Sequence, residues 1–372
     1  MLLILSLGWA TIQTGRFLLS PLLPRISSDL GLSPGEIGLT ITALALVYAL
    51  AQYPSGTYSD MLSRATLLVP AFVVLLAGIT VIGLAVRWEL FVIGAILLGF
   101  GKGLYASPSR AMIGDLFTAR QGRALGVFAA GTDLGGLIAA GLGVVVLATA
   151  TWRVAFVPVF CALIVVTAAY LRWNRDPYEL RRVRLSPSET LGRIVATRTQ
   201  RKMVVAFSLF YLFVGGIVTF FPMLLVDGGF SETVAGLSFA LLFAVGLLMK
   251  PLVGDVSDRL PRISVSIFGL VIAAVGTILI VLAPTLSVVT VGTILTAIGY
   301  KTLFPIIDAV IMDAASAETV GTDLGAARAI FLTSSAAGPG TVGVIADITN
   351  FGVAFLSLAT GLLLGAYLLA RQ

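Results

Sequence analysis

The sequence contains no histidine and only one cysteine among its 372 residues. The absence of histidine excludes His-based zinc sites, serine–histidine catalytic arrangements and imidazole proton relays. Cys161 has no second cysteine to pair with, so the sequence also excludes a disulfide framework and a cysteine-based metal site. We therefore expect no catalytic residues, no metal and no cofactor.

Charged residues are also scarce, because they make up 11% of the sequence whereas hydrophobic residues make up 58%. A soluble globular domain carries about 25% charged residues to cover its surface. The excess of apolar residues must face lipid, which leaves transport, signalling or lipid chemistry in a membrane. The net charge of +6 does not indicate nucleic-acid binding, since no basic patch lies on a foldable soluble domain.

Uninterrupted apolar runs predict twelve membrane-spanning helices. The spans are expected at 2–24, 36–57, 66–86, 88–112, 123–147 and 153–172, and then at 203–226, 232–253, 263–283, 286–310, 323–345 and 351–370. The predicted fold is an all-α membrane protein with two six-helix bundles, at 1–174 and 203–372. A basic cytoplasmic linker at 175–202 is expected to join them.

The distribution of arginine and lysine predicts the orientation in the membrane. Nine basic residues lie between Arg172 and Lys202, and six more lie in segments on the same side, against three on the other side. The positive-inside rule then places the linker and both termini in the cytoplasm. We expect a multi-pass protein of the cell membrane that functions in the lipid bilayer as a monomer.

An internal repeat divides the sequence into two homologous halves. The segment Gly56–Arg64 recurs as Gly254–Arg262, with glycine, serine, aspartate and arginine all displaced by 198 positions. Lys102-Gly103-Leu104-Tyr105 recurs in the same way as Lys301-Thr302-Leu303-Phe304, at an offset of 199. An even number of helices in each half predicts parallel repeats related by an axis along the membrane normal.

The repeated segment resembles the signature loop of the major facilitator superfamily of secondary transporters, Gly-x-x-x-Asp-(Arg/Lys)-x-Gly-(Arg/Lys). The first copy has Met61 in place of a basic residue and Ser63 in place of the second glycine. The resemblance implies alternating access, with two loops that stabilise the outward-open state; the alternative is a loop that only sets topology. The implied gating residues are Gly56, Asp60, Arg64 and Asp115 in the first half, and Gly254, Asp258, Arg259, Arg262 and Asp313 in the second.

Three basic residues are expected near the middle of the membrane: Arg16, Lys102 and Lys301. Burying each charge costs roughly 2.5–3.5 kcal/mol on insertion scales, so it must line a cavity, find a partner or act. Three cations around one cavity repel one another unless an anion lies between them, which predicts an anionic substrate. Alternatively, the lysines are neutralised by burial or paired with Asp133 and Asp308. The remaining candidate substrate ligands are Lys250, Tyr105 and Tyr211.

The energy source is expected to be a proton gradient or a counter-substrate, because the sequence has no Gly-x4-Gly-Lys-(Ser/Thr) motif for ATP. Asp133 and Asp308 are the candidate proton-coupling residues. The predicted function is symport or antiport of a small organic anion, without enzymatic activity. One alternative is a proton-coupled exporter of cationic or lipophilic drugs that uses the same two aspartates, and another is a non-transporting membrane sensor or scaffold.

Helix 5 and the Lys250-Pro251 pair faintly resemble the nitrate/nitrite porters, which have an arginine-proline pair at the latter position. The counterpart of that basic residue in helix 2 is the neutral Gln52. The sequence therefore disfavours nitrate as the substrate.

Overall fold

The computed structural model of the protein describes residues 1–117, 121–149, 151–175, 177–178, 197–259, 261–314 and 320–371. Within these ranges the chain forms twelve α-helices and one 3-10 turn, Trp152–Ala155. The helices are α1 Leu2–Leu30, α2 Pro34–Met61, α3 Ala65–Gly83, α4 Trp88–Leu116, α5 Gln121–Thr149, α6 Phe156–Trp173, α7 Arg198–Asp227, α8 Glu232–Arg259, α9 Arg262–Val281, α10 Leu286–Ala314, α11 Val320–Ile348 and α12 Phe351–Ala370. Eleven helices are long and apolar enough to span a membrane, and α8 has a shorter apolar stretch, Glu232–Leu247. The prediction of an all-α fold with twelve helices is confirmed.

The chain divides into two compact units, Met1–Leu185 and Ser186–Gln372, with six helices in each. The same helix pairs pack together in both: α1 with α5, α2 with α4 and α3 with α4 in the first, and α7 with α11, α8 with α10 and α9 with α10 in the second. The sequence repeat is thus a repeat of helix packing.

The seventh helix begins at Arg198, earlier than the predicted span at 203–226. Thr197 and Gln200 form a capping box, in which the Gln200 amide donates to Thr197 Oγ1 at 3.1 Å and the Thr197 amide donates to Gln200 Oε1 at 3.0 Å. These bonds provide acceptors for backbone N–H groups that have no partner within the first turn of a helix. The helix can therefore begin within the predicted linker. The rest of that linker lies mostly outside the described residues.

The predicted signature loop is largely helical. The second helix continues through Gly56 to Met61, so that only Leu62–Arg64 connects it to α3. In the second half, α8 continues in the same way through Gly254 to Arg259. Neither helical stretch contains proline, so no backbone donor is lost and the helix has no local reason to end.

Glycine residues allow α1 and α5 to pack closely, and likewise α7 and α11. A Cβ atom added at Gly135 on α5 would lie 2.6 Å from the Ala10 carbonyl oxygen of α1. One added at Gly215 on α7 would collide with the Ser335 carbonyl oxygen of α11. Backbone atoms cannot move aside as a flexible side chain can, so these contacts fix which faces of α1 and α7 turn inward.

Candidate functional site

The three mid-span cations lie at the centres of three 29-residue helices. Arg16 is on α1, Lys102 on α4 and Lys301 on α10. Their exposed fractions are 7%, 8% and 3%. All three positive charges are therefore inside their bundles, where each needs compensation from neighbouring groups.

Lys102 is surrounded by aromatic rings and other cations. Its Nζ atom lies 4.3 Å from the ring centroid of Tyr48 and 5.5 Å from that of Trp9. Arg16 and Arg110 are near enough to act on it electrostatically. Among the side chains that the structure describes, no carboxylate forms an ion pair with Lys102. The ammonium group is thus held by ring faces within a field of like charge.

Trp9 is the aromatic platform of this region. Its indole Nε1 donates to Thr132 Oγ1 at 2.9 Å, and its ring stacks on Phe128 at a centroid distance of 5.3 Å. The Arg110 guanidinium carbon lies 5.4 Å from the Trp9 centroid and 5.5 Å from the Phe128 centroid. Residues of α5 therefore fix the indole of α1 in place beneath two cations of α4.

Trp9, Gln13 and Arg16 share one face of α1, because their spacings of four and three residues each complete about one turn. The Gln13 side chain is 4% exposed, and its Oε1 has no hydrogen-bond partner within the described ranges. Asp133 on the adjoining α5 is also buried. The sequence analysis did not identify Trp9 and Gln13 as site residues, although their helical spacing from Arg16 indicated a shared face. It did not identify Tyr48 either, and no sequence pattern marked that residue.

The two tyrosines predicted as substrate ligands lie inside aromatic clusters. The Tyr105 hydroxyl donates to the Leu5 carbonyl at 2.8 Å, and the ring packs edge-on against Phe72. Tyr211 stacks on Phe331 with a centroid distance of 5.1 Å. These contacts give both rings a role in helix packing, and Tyr105 ties α4 to α1.

Lys301 is the counterpart of Lys102 in the second bundle. Its Nζ atom lies 4.5 Å from the Tyr300 centroid and 4.6 Å from the Phe243 centroid. Its stem covers Gly246 of α8, where an added Cβ atom would lie 2.7 Å from Lys301 Cδ and Cε. The side chains of the other candidates in this bundle, Lys250 and Asp308, lie outside the described residues.

Arg64 links three helices at one end of the first bundle. From the start of α3, its Nη2 and Nε each lie 3.1 Å from Asp115 Oδ2 at the end of α4. It also donates to the carbonyl oxygen and the Oγ atom of Ser59 on α2. In the second half, Arg262 begins α9. The side chains of the remaining predicted gating residues lie outside the described set: Gly56, Asp60, Gly254, Asp258, Arg259 and Asp313.

A second cluster closes the opposite end of the same bundle. Arg153 Nη1 pairs with Asp29 Oδ2 at 2.7 Å, and Trp152 Nε1 donates to the same oxygen at 3.1 Å. Arg153 Nη2 also donates to the Ala85 carbonyl at 2.7 Å. The cluster joins segments far apart in sequence, so no local motif could predict it.

Across the described ranges, no group of three or more candidate ligands could hold a metal ion.

Comparisons with known proteins agree with this architecture. The family model of the Major Facilitator Superfamily matches residues 5–262 and, in a second alignment, residues 203–371. The hexuronate transporter of Bacillus subtilis is 26% identical over 373 residues, which cover 93% of this chain and 87% of that protein. The probable nitrate transporter NarT of Staphylococcus haemolyticus is 19% identical over 285 residues, covering 74% of this chain and 71% of that one.

The crystal structure of a bacterial homologue of the human lysosomal transporter Spinster superposes with a TM-score of 0.81 at 19% identity, and the match covers 100% of this chain and 94% of that one. The fold, the repeat and the family match all lead to one conclusion. The chain belongs to the Major Facilitator Superfamily and is a multi-pass secondary transporter, not an enzyme.

Proposed function

We propose that this transporter moves a small organic anion by alternating access. Arg16 and Lys102 are the proposed ligands in the first bundle, and Lys301 is the candidate in the second. The environment of Lys102 carries the proposal. Its ammonium lies at the centre of α4 against two ring faces, and Arg16 and Arg110 act on it with like charge.

The magnitudes of the interactions favour an anion. Burying a lysine charge at the centre of a membrane helix costs roughly 2.5–3.5 kcal/mol. A cation–π contact offsets about 0.5–2 kcal/mol and fades near 6 Å, so Tyr48 at 4.3 Å contributes more than Trp9 at 5.5 Å. Repulsion by Arg16 and Arg110 adds to the cost. An anionic group supplies the missing opposite charge together with charge-assisted hydrogen bonds.

The named substrates of the two relatives support the same class, since hexuronate and nitrate are both anions. We favour an organic anion over nitrate because Gln52, on α2, is neutral. Its amide oxygen accepts a hydrogen bond from Ser107 Oγ at 2.9 Å, so the side chain is held by a neighbour on α4.

The substrate class can be tested by thermal-shift measurements on the purified protein with glucuronate, nitrate and tetraphenylphosphonium. A ligand at 100 times its Kd stabilises the folded protein by about 2.7 kcal/mol. We expect glucuronate to raise the unfolding temperature and tetraphenylphosphonium to leave it unchanged. Stabilisation by tetraphenylphosphonium alone would reject the anion proposal in favour of a drug exporter, and stabilisation by nitrate alone would reject an organic substrate.

We further propose that Asp133 carries a coupling proton, since it is buried in α5, the helix that packs against α1, and α1 carries Arg16. Asp133→Asn should abolish net uptake driven by a proton gradient in proteoliposomes. Exchange of internal for external substrate should continue, because exchange needs no net proton transfer. Loss of exchange along with uptake, in a folded protein that no longer binds substrate, would make Asp133 a binding or structural residue.

The proposed orientation places both termini in the cytoplasm. Its test is cysteine labelling in a Cys161→Ser background, because Cys161 is exposed. A cysteine at Ser188 should react only with reagents that reach the cytoplasm, whereas one at Gly35 should react from outside. The reverse pattern would invert the orientation.

A further inference from the structure

Gln13 presents a buried hydrogen-bond acceptor that no described residue uses. The side chain is 96% buried, and its Oε1 atom has no donor partner. The adjacent hydroxyl of Thr14 does not serve it, since that group donates to the Ala10 carbonyl at 2.9 Å. Buried carbonyl oxygens in folded proteins nearly always have a donor. The Gln13 oxygen can therefore accept a hydrogen bond from a group of a bound ligand.

Gln13 lies on the same face of α1 as the proposed anion ligand Arg16. Gln13 is one turn from Arg16 in one direction and one turn from Trp9 in the other, and neighbours at such spacing have Cβ atoms about 5–6 Å apart. Its Cβ atom lies against α5, 2.8 Å from where a Cβ atom on Gly135 would stand. Close packing between α1 and α5 thus fixes the Cβ atom of Gln13, whereas the amide oxygen at the end of the side chain can bind another group.

The chemistry of the missing donor follows from the surrounding charges. An ammonium donor would be repelled by Arg16 and Lys102, and nitrate has no hydrogen to donate. A hydroxyl group is a neutral donor that can sit beside a carboxylate in one molecule. We propose that Gln13 selects hydroxylated carboxylates, with its Oε1 atom accepting a hydrogen bond from a substrate hydroxyl. This inference rests on the proposed anion function and narrows its substrate class.

The experiment compares two ligands that differ in their hydroxyl groups. D-glucuronate and cyclohexanecarboxylate both carry one carboxylate on a six-membered ring, but only glucuronate has hydroxyls. Their Kd values would be measured by isothermal titration calorimetry on the wild-type protein and on Gln13→Leu and Gln13→Met, which keep the approximate volume and remove the acceptor. Thr296→Val is the matched control, because Thr296 Oγ1 is also buried without a partner but lies in the second bundle.

We expect the wild type to prefer glucuronate by ~10-fold or more, since a site that bonds a substrate hydroxyl discriminates against analogues lacking it. Both Gln13 variants should weaken glucuronate binding by ~10- to 100-fold and leave cyclohexanecarboxylate binding nearly unchanged. Thr296→Val should keep the wild-type preference. An unchanged preference in folded Gln13 variants would overturn the inference, and so would equal losses for both ligands.

Lys102→Gln distinguishes this inference from the function on which it rests. The variant should weaken both carboxylates, because both need the positive charge. If Lys102→Gln weakens both carboxylates while the Gln13 variants still prefer glucuronate, only the proposed contact between Gln13 and a substrate hydroxyl is rejected. If the wild type binds neither carboxylate, the anion proposal itself is wrong and the role of Gln13 is rejected with it.

Discussion

The two bundles carry a buried lysine at matching repeat positions, but they surround it with different groups. In the first bundle the ammonium of Lys102 lies on the ring of Tyr48. At an offset of 198 the residue that corresponds to Tyr48 is Gly246, and the stem of Lys301 fills the space that a side chain would occupy there. The ammonium of Lys301 reaches Phe243 and Tyr300 instead.

Two further positions near Lys102 also have no counterpart of the same kind in the second bundle. By the same offset, Trp9 corresponds to Phe207 and Arg16 to Val214. Phe207 packs edge-on against Phe331 at 6.2 Å, so the second bundle has aromatic packing where the first has a platform for cations. The repeat therefore preserved the helix framework, while the second bundle has a packing ring at the position of Trp9 and an uncharged residue at the position of Arg16.

The largest expected effect concerns the two lysines themselves. Lys102→Gln should weaken binding of a substrate anion by about 2–5 kcal/mol, because glutamine keeps a donor but removes the charge. Lys301→Gln should cost less, since no arginine stands at the position that matches Arg16. Titration calorimetry of both variants tests this, with Lys202→Gln near the start of α7 as the control. Equal losses for Lys102 and Lys301 would contradict the proposed asymmetry.

The next effect concerns the position that distinguishes the two lysine environments. Gly246→Ala places a Cβ atom against the Lys301 stem and should destabilise the protein by about 1–3 kcal/mol. Gly141→Ala on α5 is the matched control, because its Cβ atom would meet no atom within 4 Å. That variant should be neutral or stabilise by up to about 1 kcal/mol through helix propensity. Thermal unfolding in detergent gives both values, and an unaltered melting temperature in Gly246→Ala would mean that Lys301 moves aside freely.

The smallest effect compares the two ends of the first bundle. The Arg64–Asp115 pair involves a carboxylate whose side chain is 62% exposed, so Asp115→Asn should cost only about 0.2–1 kcal/mol of stability. Arg64→Gln and Arg153→Gln should each cost more, about 1–2 kcal/mol, because Arg64 also loses its bonds to Ser59 and Arg153 also loses its bond to the Ala85 carbonyl. Unfolding measurements on both variants and on Asp115→Asn test this order.

The same variants test whether the Arg64 end is a gate. If Arg64 and Asp115 stabilise one conformation of the transport cycle, Arg64→Gln should change the exchange rate in proteoliposomes by more than its loss of stability explains. Arg153→Gln should not change the rate in this way. If Arg64→Gln exchanges substrate at the wild-type rate, the connection between α2 and α3 sets only the topology of the chain and is not a gate.

Several features of the site followed from sequence because they depend on position along one helix. Arg16 and Lys102 were expected at mid-span, and each lies at the centre of its helix. Arg64 and Asp115 were both among the implied gating residues, and the structure pairs them with each other, although their role in gating stays a prediction. The extent of α2 was not foreseen, since a family signature marks residue types and not the residue at which a helix ends.

The sequence by itself determined the number of helices, the repeat and the position of the buried cations along their helices, because apolar run length and residue count set these directly. Only the tertiary structure decided what each cation touches. The contact of Lys102 with Tyr48, and the platform of Trp9 held by Thr132, depend on how four helices are rotated against one another. That rotation is set by close backbone contacts such as the one at Gly135, and an apolar run carries no information on which of its faces meets a neighbour.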